Sequence, residues 1–71
     1  MDTSTANPSR LTEACRRAIV RMQSGSVPIA RVPSDARHVL EDRGIACELS
    51  AAGYLELTPR GRGVDPATFE A

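Results

Sequence analysis

The segment Gly53-Tyr54-Leu55-Glu56-Leu57-Thr58-Pro59-Arg60-Gly61-Arg62-Gly63 constrains this chain more than any other part of it. From Tyr54 to Thr58 the residues alternate, which sends Leu55 and Leu57 to one face of a strand and Tyr54, Glu56 and Thr58 to the other. Gly53 reads as a stop before that strand, and Pro59 to Gly63 reads as a tight turn carrying Arg60 and Arg62. A short strand bounded so closely has to find its neighbours among the remaining elements of a small chain.

The firmest of those elements lies near the start. Leu11, Ala14, Cys15, Ala18, Ile19 and Met22 fall at i, i+3, i+4, i+7, i+8 and i+11, one apolar stripe of an amphipathic helix. Asn7-Pro8 supplies its entry, with Ser9 as an alternative cap, and Gly25 its end. Arg10, Glu13, Arg16, Arg17 and Arg21 lie off the stripe. Residues 26–32 alternate loosely, and Pro28 restricts them to an edge or a very short strand. Pro33-Ser34-Asp35 opens a second helix, with Ser34 as cap, Ala36, Val39 and Leu40 as its buried face, and Gly44 as its stop.

Residues 45–52 admit two readings. Ile45, Cys47 and Leu49 alternate as a strand would, with 50–53 as a hairpin turn. Ala, Glu and Leu are strong helix formers, however, and Ile45, Leu49 and Ala52 share one helical face. Gly53 followed by Tyr54 then resembles a Schellman stop. The helix is the favoured reading. Val64 is placed to begin a short return strand that Asp65-Pro66 would cut off.

Seventy-one residues allow one domain, expected over 9–64 between polar tails at 1–8 and 65–71. So small a core is marginal, and a deep catalytic cleft is not expected of it. Net charge is zero but unevenly spread: residues 10–37 carry six arginines against two acids, and residues 38–71 carry three arginines against six acids. All nine cations are arginine, the residue suited to bidentate phosphate contacts. Cys15 and Cys47 read as free, half-buried thiols of a cytoplasmic protein, with no signal peptide or membrane-length apolar run.

The order helix, short strand, helix, helix, strand, Arg/Gly turn resembles the winged helix-turn-helix class, and residues 45–63 carry the resemblance. Leu49 and then Ala52 to Arg62 are similar to a recognition helix running into a wing, as in small bacterial regulators. The C-terminal winged-helix domain of the Holliday-junction branch-migration ATPase has a similar segment. The resemblance implies an α+β fold of three helices with a two- or three-stranded sheet. It also implies a regulatory role in transcription, double-stranded DNA as partner, and a homodimer to supply the second half-site. Arg60 and Arg62 become phosphate or minor-groove contacts, with Arg16, Arg17 and Arg21 as phosphate anchors beside them. Arg31 and Arg37, at the entry to the second helix, could join that surface. A helix over 45–52 offers only Glu48 and Ser50 as polar groups, so backbone contact is expected rather than base reading.

Each of these sites has a plainer explanation. Arg60 and Arg62 fit a solvated turn, and Arg16, Arg17 and Arg21 fit the wet face of a helix. Winged helices also serve as protein-docking adaptors, which the zero net charge and Glu41, Asp42, Glu48 and Glu56 would suit. His38, Cys15 and Cys47 match no metal-ligand spacing. Ser34 with His38 lacks a nucleophile turn, and Gly61-Arg62-Gly63 lacks the following helix of a phosphate cradle. The expectation is therefore a binding protein that needs no cofactor, metal or catalytic residue.

Overall fold

The computed structural model describes residues 8–49 and 53–71. Its elements are α1 (Pro8–Gln23), β1 (Val27–Pro28), a single 3-10 turn (Ile29–Arg31), α2 (Ser34–Asp42), β2 (Ala46–Leu49), β3 (Tyr54–Leu57) and α3 (Pro59–Arg62). The three strands form one antiparallel sheet in the order β1-β3-β2. A small α+β domain of three helices and a three-stranded sheet results, an arrangement compatible with a winged helix.

The apolar stripe of α1 becomes the centre of the core. Cys15, Ile19 and Met22 are fully buried, and Ala18 nearly so, while Leu11 and Ala14 pack at its margin. From α2 come Ala36 and Leu40, and from β3 come Leu55 and Leu57. The alternation along β3 holds: Tyr54 points outward and both leucines point in. Val27, beside Leu55, fixes β1 on one edge of β3, and Pro28 is tolerated there because an edge strand needs fewer donors.

Residues 46–49 are a strand and not a recognition helix. Ala46, Cys47, Glu48 and Leu49 pair with Leu57, Glu56, Leu55 and Tyr54 in turn. The helix-forming tendencies of Ala, Glu and Leu are overridden by this pairing and by the burial of Ile45 and Ala46. Ser50 to Ala52, the end of the expected helix, lie outside the described residues.

The stop expected at Gly44 is found, and it has the Schellman form that was expected at Gly53. After α2, Gly44 takes φ +73° and donates to Glu41 O (3.0 Å), while Ile45 N donates to Leu40 O (2.9 Å). That is the paired bonding of a Schellman motif, and it turns α2 directly into β2. At the start of α2 the cap position is Pro33, with no side-chain bond, and Ser34 is the first helical residue.

Residues 59–62 also depart from expectation, forming a one-turn helix and not a wing turn. Thr58 caps it by accepting from Gly61 N at 3.0 Å, and Pro59 stands at the first helical position. The Thr58 hydroxyl also lies 2.6 Å from Gly44 O, joining both ends of the hairpin to the α2 stop.

The closing residues pack back instead of fraying. Phe69 is buried, Arg16 Nε donates to Phe69 O (2.8 Å), Arg43 Nη1 donates to Glu70 O (2.6 Å), and Ala71 N donates to Thr12 Oγ1 (3.1 Å). Val64 adds a half-buried contact with the core but forms no strand. The two thiols differ: Cys15 is fully buried and Cys47 is exposed on β2.

Candidate anion-binding surface

The nine arginines separate into three groups according to what surrounds them. Arg16, Arg37 and Arg43 are used inside the fold. Arg16 and Arg43 hold the closing segment, and the Arg43 guanidinium sits 5.4 Å from the centre of the Phe69 ring. Arg37 reaches two carboxylates, Glu41 at 3.5 Å along α2 and Glu48 at 4.0 Å on β2. These pairs are partly exposed, so each contributes at most about 1 kcal/mol, but together they tie α2 to the hairpin.

Arg10, Arg17, Arg21 and Arg31 form the second group. Positions 10, 17 and 21 fall at i, i+7 and i+11, which returns them to one face of α1. Across from that face run the 3-10 turn, which contributes Arg31, and the link from it to α2. The space between is a cleft of about 300 Å³ bordered by all four guanidinium-bearing side chains. Ala14, Ala18, Val32 and Pro33 supply its apolar walls. Among the described residues Glu13 is the one carboxylate lining it; it lies 3.5 Å from Arg17, with both groups well exposed.

The third group is Arg60 and Arg62 on α3, both exposed. Arg60 leans over Gly44: its Cδ lies 3.8 Å from where a Cβ on that glycine would stand. Their neighbourhood is the α2–β2 stop, whereas Arg17 and Arg21 face the cleft and Arg16 faces Phe69. Of the five arginines expected to act as one surface, Arg16, Arg17 and Arg21 border together a second groove of about 630 Å³ with Val20, Pro66 and Ala67, while Arg60 and Arg62 line neither space. Arg10 was missed although helical spacing alone places it with Arg17 and Arg21; of Arg31 and Arg37, Arg31 lines the cleft and Arg37 is turned to Glu41 and Glu48.

The helix preceding the β2–β3 hairpin is α2, and its chemistry is unlike that of the cleft. Asp35, His38 and Asp42 are exposed on it, and Arg37 is held by its carboxylate partners. It presents no Asn, Gln or Lys and no uncommitted Arg to a base edge.

Neither cysteine takes part. Burial pushes the Cys15 thiol above its ordinary range, with the nearby Arg43 partly opposing and Asp35 adding to the effect. Its sulfur lies 3.9 Å from Ala36 O, the environment of an inert packed thiol. Among the described residues no three His, Cys, Asp or Glu side chains gather as metal ligands would, and no helix is long and apolar enough to cross a membrane.

Compared with protein-family models, curated proteins and solved structures, the chain matches none.

Proposed function

We propose that this chain is a winged-helix regulator that binds double-stranded DNA in the cytoplasm through phosphate contacts and not through base reading. In this reading β2–β3 is the wing, α2 stands in the recognition position, and α3 follows the wing. The observation that supports it is the convergence of Arg10, Arg17, Arg21 and Arg31 beside the start of α2. The four arginines that line the cleft outnumber Glu13, its one carboxylate among the described residues, and Arg60 and Arg62 add charge beyond the hairpin. The acids on α2 argue against deep insertion into a groove, so affinity without sequence preference follows. A homodimer would double the phosphate contacts and supply the second half-site.

The test is binding to a mixed-sequence duplex across a salt series, followed by fluorescence anisotropy. Affinity is expected to fall steeply with salt, and Arg21→Ala combined with Arg31→Ala should flatten the logarithmic slope by about two, near one per lost phosphate contact. Absence of binding at low salt would sink the reading.

A protein-docking adaptor without DNA contact is the second reading. Asp35 and Asp42, exposed on one side of α2, and Glu48, exposed on β2, favour it, because a helix and strand set against DNA would carry basic groups instead.

A further inference from the structure

We infer that the cleft between α1 and the link into α2 is a binding site for a small organic anion, one phosphate or carboxylate head carrying a single-ring apolar body. This goes beyond DNA contact and does not depend on it. A surface that only tracks phosphates has no use for concavity, yet these arginines surround a cleft of about 300 Å³, at the lower end of the range for small-molecule sites.

The two kinds of lining assign the two parts of the ligand. Arg21 lines the cleft from α1 and Arg31 lines it from the 3-10 turn, so a head held in the cleft can receive charge-assisted hydrogen bonds from two elements. Between the arginines lie Ala14, Ala18, Val32 and Pro33, which offer no hydrogen bond from their side chains. A bare inorganic ion would leave those walls wet, whereas an apolar body would cover them. Among the described residues Arg17 is held by its well-exposed pair with Glu13, an interaction that solvent screens, so recruiting it to the ligand costs little. The walls are preformed as well. Ala18 and Val32 are buried members of the core, and Pro33 fixes the backbone between Val32 and α2.

The experiment is an amide and methyl NMR titration of the whole chain with phenyl phosphate, inorganic phosphate and phenol in parallel. Phenyl phosphate is expected to produce saturable shifts at Ala14, Ala18 and Val32. Inorganic phosphate should bind at least about tenfold more weakly, and phenol should leave those signals unmoved. Arg21→Gln with Arg31→Gln, both exposed positions whose change leaves the core intact, should weaken phenyl phosphate by about tenfold or more. Unchanged spectral dispersion in that variant shows that the fold is kept. The proposal is overturned by the absence of saturable shifts at the three residues, by equal affinity for phosphate and phenyl phosphate, or by shifts that persist in the double variant. DNA binding without phenyl phosphate binding overturns this inference alone, and the reverse result overturns only the DNA reading.

Discussion

Gly53 and Gly61 flank the same strand, one before Tyr54 and one shortly after Leu57, and their surroundings are opposite. Gly53 has φ +70° and open space where a Cβ would point. Gly61 has an ordinary helical backbone, but a Cβ there would run into the backbone of Ile45, coming within 2.0 Å of its carbonyl oxygen. The first glycine is needed for a turn and the second for a close approach. The end of β3 that carries the Arg/Gly sequence is accordingly a packed joint holding α3 against the start of β2. The open position, at Gly53, is at the other end.

Gly61→Ala gives the largest expected effect. Backbone cannot yield as a flexible side chain can, so α3 must lift from Ile45 at a cost of about 3 kcal/mol. A domain of this length has a total stability of roughly 4–10 kcal/mol, so the loss should be plain as a lower urea midpoint at unchanged slope. Thr58→Ala comes next. It removes the cap on Gly61 N and the hydroxyl donated to Gly44 O, for about 1–2 kcal/mol in the same assay. Gly53→Ala should cost least, about 1 kcal/mol from left-handed backbone strain without any clash. If Gly53→Ala proved as damaging as Gly61→Ala, the contrast between open turn and packed joint would fail.

The parts of this fold that sequence reveals are those in which a residue's own neighbours decide its fate. The stripe on α1, the alternation of β3, the edge character of Pro28 and the stop at Gly44 all belong to that kind. Residues 46–49 do not, because Ala46, Glu48 and Leu49 are at home in a helix and become a strand only when β3 is beside them. Thr58-Pro59 carried a helix-start signal that the flanking glycines obscured; Thr as cap and Pro at the first position are sufficient to read it. Phe69, the one phenylalanine of the chain, was a poor candidate for a loose tail in a protein so short of large apolar residues.

The candidate site was legible to a similar degree. Spacing along α1 shows which arginines share a face, and so joins Arg10, Arg17 and Arg21. It does not show what that face looks toward. That Arg31 closes the cleft, while Arg16 turns aside to Phe69 O, depends on contacts between residues far apart in the chain.

The packing of Phe69 bears on how the domain moves. The hydrogen bonds that hold the closing segment to α1 span 53 and 59 positions, so they enclose nearly the whole chain. Contacts of such separation are slow to find during folding. They can also be lost without disturbing the strand pairing or the turn at Gly44, since residues 65–71 belong to no strand and no helix. Opening there would be a sub-global event in which the segment peels away and Arg16 and Arg43 lose their carbonyl partners together. The domain thus has a seam, and two of its arginines are the stitches.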